Sequence, residues 1–113
     1  MKGIKIKEFA KLLGSLELPI AYNHFIVTGG SPSPEPPYIV YLEEDSNNFG
    51  ADNKVWRQVV NYRIEVYSDD KNLDLEEKIE KLLDDNGIFY DSDETYITKD
   101  SLYQRMYFVT LIK

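Results

Sequence analysis

Cysteine is missing altogether, and histidine occurs once, at His24. The first absence excludes disulfides and thiolate metal sites, and it fits a reducing compartment. The second rules out a Cys–His pair or a polyhistidine zinc site within one chain. Placed inside a predicted strand, His24 reads as an ordinary strand residue. No phosphate-binding GxxxxGK or GxGxxG run occurs, and Gly29-Gly30 is only a flexible spot in a proline-rich stretch. No serine sits in a nucleophile-elbow sequence. Apolar runs never approach the ~18 residues that span a bilayer. The opening MKGIKIKEFAKLLG threads charges through its apolar residues, unlike a signal peptide. Basic residues are the minority, 13 Lys plus Arg against 20 Asp plus Glu, for a formal charge of −7. Such a chain repels phosphate, and no segregated basic patch offsets that. These absences predict a soluble, intracellular protein with no cofactor, no resident metal, no membrane span and no specific nucleic-acid site.

What is abundant is aromatic: nine Tyr, five Phe and one Trp among 113 residues. Tyr and Trp are large, stiff and half-polar, which suits both cores and protein interfaces. The length fits one domain, residues 1–113. Acidic clusters at Glu43–Asp45, Asp69-Asp70, Asp84-Asp85 and Asp91–Glu94 read as solvated. An EF-hand loop counted from Asp91 would place Tyr96 where glycine must turn. Sheet tyrosines at positions 62, 103 and 107 could suggest RNA, but the aromatic-glycine signature is missing and the charge is wrong.

Periodicity organises the chain. Ile6, Phe9, Ala10, Leu13 and Leu16 fall at helical spacing, so residues 4–16 form an amphipathic helix that Pro19 prevents from continuing. Ile20–Val27 reads as a strand with neither face clearly polar. Thr28–Pro37, with four prolines and two glycines, is a predicted surface loop. A second strand is predicted at Tyr38–Glu44, then a loop at Asp45–Asp52 with Phe49 at or near its tip. In Asn53–Ser68, alternation is sharp from Val60: Val60, Tyr62, Ile64 and Val66 on one side, Asn61, Arg63 and Glu65 on the other. A strand of that length spans roughly 50 Å at about 3.3 Å per residue. A compact chain of this size has a radius of gyration of only roughly 13 Å. The strand must bend or project, and Val55, Trp56, Arg57 and Gln58 carry the blurred alternation of a projecting arm.

The second helix, Leu73–Asn86, buries Leu75, Ile79, Leu82 and Leu83, opens with Asp74 and Glu77 as a capping box, and closes at Gly87. Ile88–Tyr90, a polar turn Asp91–Glu94 and Thr95–Thr98 follow. In the last strand, Leu102–Ile112, both faces are apolar enough to need cover. The order α-β-β-β-α-β-β predicts an α+β fold: a single mixed, mainly antiparallel sheet, both helices on one face, and a long projecting hairpin between strands two and three.

The segments LPIAYNHF, PPYIVYLEEDSNNFGADNKVW and NYRIEVYSDDKNLDLEEKIEKLLDDNGIFYD, with the Tyr-rich last strand, resemble small phage and prophage proteins of Gram-positive bacteria. These are tail-terminator-like, or head–tail joining, minor tail proteins, and the resemblance runs from about Leu12 to Leu111. It implies a structural, non-enzymatic subunit whose copies form a ring, with a hexamer as the candidate stoichiometry. Tail tube and head–tail connector proteins would be its partners. It further implies the host cytoplasm during assembly and the virion tail afterwards. On this reading Phe49, Val55, Trp56, Arg57, Tyr103 and Tyr107 are the candidate interface residues, unless the arm folds back on its own sheet. The rival expectation is a small non-catalytic module that binds a peptide or small ligand through the proline-rich loop.

Overall fold

A computed structural model describes residues 6–25, 34–51 and 54–112, with side chains for residues 7–25, 34–44 and 60–111. The elements are α1 (Ile6–Gly14), β1 (Ile20–Tyr22), β2 (Tyr38–Ala51), β3 (Lys54–Ser68), α2 (Leu73–Asp85), β4 (Tyr90–Ile97) and β5 (Leu102–Ile112). The strands form one sheet in the order β1-β2-β3-β5-β4. Only the β1–β2 pair is parallel; β2–β3, β3–β5 and β4–β5 are antiparallel. This is the mixed α+β architecture that the periodicity predicts.

The alternation in β3 decides where the core lies. Val60, Tyr62, Ile64 and Val66 are all buried, and their register partners carry the same face sideways through Ile39 on β2 and Tyr107, Val109 and Leu111 on β5. Both helices cover that face. From α1, Phe9 and Leu13 enter the core, with the Phe9 ring 5.8 Å from Tyr62 and 6.4 Å from Tyr41. From α2 come Leu75, Ile79 and Leu83, while Leu82 is only half-buried. The helix α1 therefore lies over β2 and β3, and α2 over β5 and β4, where Glu80 meets Tyr107 and Lys71 meets Glu94.

Helix α2 is capped two residues earlier than Asp74 and Glu77 suggest. Asn72 is the N-cap, its side-chain oxygen accepting the Leu75 N–H at 3.1 Å. Asn in this position satisfies an otherwise orphan donor. At the other end Gly87 takes φ 66°, as predicted. The Ile88 N–H bonds Leu83 O and the Gly87 N–H bonds Asp84 O, and Ile88 drops into the core beside Leu83. That paired arrangement needs a left-handed residue, which glycine adopts without a Cβ penalty.

Three strand boundaries correct the sequence reading. The first strand ends at Tyr22, because Asn23 turns to φ 68° and donates its N–H to Tyr41 O. His24 is thus exposed beyond the strand rather than in it; Ile26 and Val27, with most of the proline-rich loop, lie outside the described residues. The acidic run Asp91–Glu94 is the middle of β4, not a turn. An edge strand exposed along most of its length accommodates residues of poor strand propensity once its neighbour supplies the ladder. Likewise β2 runs through the predicted loop to Ala51. It pairs Phe49 with Arg57 and Ala51 with Lys54, so Phe49 is on the strand, short of the tip. Two irregularities, at Glu43/Asp45 and Phe49/Gly50, absorb the mismatch.

The β3–β5 ladder begins at Val59↔Ile112. Before that point β3 has β2 alone as its neighbour among the described residues, so the hairpin leaves the five-stranded body as a two-stranded ribbon. The molecule is accordingly elongated, 51 × 31 × 26 Å, with a radius of gyration of 15.4 Å.

Candidate interaction surface

The side of the sheet opposite the helices is built from Tyr38, Val40, Leu42 and Glu44 on β2, Asn61, Arg63, Glu65 and Tyr67 on β3, and their partners on β5. Those partners are Gln104, Met106, Phe108 and Thr110. A polar chain crosses it. Glu44 Oε1 lies 2.8 Å from Arg63 Nη1, and Arg63 Nε lies 2.8 Å from Glu65 Oε2. The second contact is ionic rather than a well-aligned hydrogen bond, since Nε finds no acceptor in line. Tyr67 donates to Glu65 Oε1 at 2.9 Å and accepts from Gln104 Nε2 at 2.9 Å. Glu65 is only 8 % exposed, so this set of partners is what makes its burial tolerable. Around the chain Val40, Leu42, Met106 and Phe108 are buried or half-buried. Tyr38 stacks on Tyr67 at 5.0 Å, and Phe25 meets Tyr38 edge-on at 5.5 Å. The face is half apolar or aromatic and half polar, which is the composition of a surface that can be wet or covered.

On the helix side a second cluster ties α2 to the β4 edge. Lys71 pairs with Glu76 at 2.7 Å and with Glu94. Arg105 reaches Glu76 at 3.6 Å and Ser92 Oγ at 3.0 Å, with its guanidinium carbon 5.5 Å from the Tyr107 ring centre. Tyr107 donates to Glu80 Oε2 at 2.8 Å. Arg105 Nε has no hydrogen-bond acceptor and meets Glu76 only as an ion pair, and the arrangement reads as a clamp between layers.

Burial, reinforced by the hydrogen bonds to Glu65 and Glu80, pushes the Tyr67 and Tyr107 hydroxyls far above the ordinary tyrosine value of 10.0. Burial alone would lower Lys71, but Glu76 and Glu94 more than offset it and raise it. All three groups hold their protons more tightly folded than unfolded. Their stabilisation is complete below the unfolded values and is lost as pH climbs through the folded ones. The urea midpoint should therefore fall steadily above about pH 10, where free tyrosine ionises. The double variant Tyr67→Phe, Tyr107→Phe should show a shallower fall. A wild-type midpoint that stays flat from about pH 10 to about pH 12 would contradict the assignment.

The proposed interface residues separate. Tyr107 is fully buried under α2, so it cannot contact a partner and leaves the candidate set. It faces inward because odd-numbered β5 residues share the register of Ile64 and Tyr62. Tyr103 is half-buried, its ring 4.9 Å from Tyr96, at the far end of β5 from the hairpin. Phe49, Val55, Trp56 and Arg57 lie together on the distal ribbon by backbone register; their side chains lie outside the described residues. Sequence reading missed the Arg63–Glu65–Tyr67 chain, although the i, i+2 spacing of three polar residues in a strand was a visible signal for a shared face.

Among the described residues no group of three or more His, Cys, Asp and Glu side chains is placed to hold a metal ion. No helix among the described residues is long and apolar enough to cross a membrane. A groove of about 410 Å³ runs between the end of α1, at Leu16 and Glu17, and Lys78, Lys81 and Asp85 of α2. Lys81 and Asp85 pair with each other at 2.8 Å across one helical turn, so the groove is lined by a solvated ion pair. Comparison of the chain with protein-family models gives no match, and comparison with curated proteins gives none either.

Proposed function

We propose that this protein is a structural assembly subunit, whose copies join through the projecting hairpin into a ring of the tail-terminator or head–tail joining kind. The observation that carries the reading is the ribbon itself: β2 and β3 continue past the Val59 rung, where no third strand supports them among the described residues. A two-stranded hairpin is marginally stable in water, so a ribbon that persists gains from a partner. Apolar residues at Phe49, Val55 and Trp56 give it the means to grip one. On the resemblance to tail-terminator-like proteins, its partners would be the tail tube and the head–tail connector, and it would act in the host cytoplasm before joining the virion tail. Net negative charge suits a ring through which DNA passes, because an acidic lumen does not capture phosphate. The role is mechanical and requires no catalytic centre.

Deleting the gene from an inducible prophage that carries it, and imaging the particles, tests the reading. Over-long or headless tails are expected. Normal virions would exclude the role.

A further inference from the structure

Asn86-Gly87 is the one asparagine–glycine pair in the chain; the other six asparagines precede His, Asn, Phe, Lys, Tyr or Leu. In such a pair the glycine nitrogen can attack the asparagine side chain, because no Cβ hinders its approach. The Gly87 nitrogen bonds to Asn86 Cγ as the Cγ–Nδ2 bond breaks. The Gly87 N–H proton departs with Nδ2 as ammonia, and a five-membered cyclic imide remains. Water then opens either carbonyl of that ring. One product is aspartate; the other is isoaspartate, in which the main chain runs through Cγ and gains a methylene. Water is the only co-reactant.

The fold holds this reactive pair in an unreactive geometry. Asn86 is the C-cap of α2, with φ −101° and ψ 9°. Ring closure requires the Gly87 nitrogen to eclipse the Asn86 Cβ, and a ψ near zero turns it away by more than a right angle. Gly87 donates its N–H to Asp84 O at 3.0 Å, and Asn86 Nδ2 donates to Leu82 O at 2.8 Å. Nucleophile and leaving group are each engaged in a hydrogen bond of the cap. Just beyond, the Ile88 N–H bonds Leu83 O at 2.9 Å and its side chain, 4 % exposed, pins the chain to the core.

We infer that Asn86-Gly87 is a self-modifying site gated by the end of α2: the docked cap suppresses the reaction, opening permits it, and the product keeps the cap open. The last step follows from charge and connectivity. Aspartate at position 86 loses the donor to Leu82 O. It also becomes the third consecutive acid, after Asp84 and Asp85, at the negative end of a helix whose last turn holds no basic residue. Isoaspartate lengthens the main chain between Asp85 and Gly87, which takes Ile88 out of register with Leu83. Either product loosens the end of α2 where the chain passes to β4. Because ammonia is lost, the change accumulates, and each chain carries a record of how long its cap has been open.

Peptide mapping of the intact chain, incubated at neutral pH, tests it, since aspartate and isoaspartate at position 86 separate from asparagine. Asn86 in the folded chain should convert at least about tenfold more slowly than in guanidinium chloride, because conversion waits on local opening. Ile88→Val trims the anchor by one methylene and keeps the fold, as circular dichroism will verify. It should speed native conversion about twofold to tenfold, in line with the usual loss for that change in a core. Asn86→Asp, one of the products, should melt a few degrees below wild type. Its amides at residues 83–88 should exchange faster, while those of β3 keep their protection. Equal rates folded and unfolded would show that the cap gives no protection. An unfolded chain that keeps Asn86 intact would show that the pair is unreactive. An Ile88→Val chain that converts at the wild-type rate would place the gate elsewhere, and an Asn86→Asp chain that melts and exchanges like wild type would show that the product frees nothing. Any of these four results overturns the inference.

Discussion

A chain in which residues 48–58 are replaced by an Asn-Gly turn should fold normally and fail to self-associate. The cut falls beside the Asn47↔Val59 pair, so the new two-residue loop closes an existing rung of the ladder. The described body stands without the ribbon: the β3–β5 ladder starts at Val59 and every residue of the described core lies outside the deletion. The melting temperature should stay within a few degrees of wild type. The apparent dissociation constant for assembly should rise at least about 100-fold, or about 2.7 kcal/mol, as when the central anchors of an interface are removed. A shortened chain that assembles like the intact one would separate assembly from the hairpin. A shortened chain that unfolds would show that the ribbon packs on its own body.

The second large effect concerns the body. Phe9→Ala should cost about 3–5 kcal/mol of stability, the usual loss for a buried phenylalanine. Phe9 is fully buried and spans the two layers, touching Tyr41 on β2 and Tyr62 on β3 from α1. Against a total of about 5–15 kcal/mol for a domain, that loss threatens folding at ordinary temperature. Phe9→Leu fills most of the space and should lose less. Phe89→Ala, at a side chain 74 % exposed, should change stability by no more than about 0.5 kcal/mol. Urea titrations of the three variants give the comparison. Equal losses at Phe9 and Phe89 would contradict the placement of α1 on the sheet.

The helix-covered side of β3 was legible because Val60, Tyr62, Ile64 and Val66 alternate with polar residues, and burial follows that alternation. Gly87 was legible because few other residues end a helix at positive φ without strain. In β5 the sequence offered no such asymmetry. Met106 and Phe108 are as apolar as Tyr107 and Val109, so periodicity could not say which side the helices cover, and Tyr107 was assigned to an interface when it belongs to the core. Acidic β4 and the Asp-Ser-Asn-Asn stretch of β2 were hidden for a different reason. Their residues disfavour strands locally, and it is pairing with β5 and β3 that holds them extended. The candidate surface shows the same limit: the length of β3 announced a projection, but the polar chain from Glu44 to Gln104 needed three strands in register.

Sedimentation velocity of the intact chain across a wide concentration range tests the central claim most directly. Growth of one discrete species, with a mass that is a fixed whole-number multiple of the 13.2 kDa chain and a ring outline in electron micrographs, is the predicted result. A single monomeric boundary up to millimolar protein would contradict it.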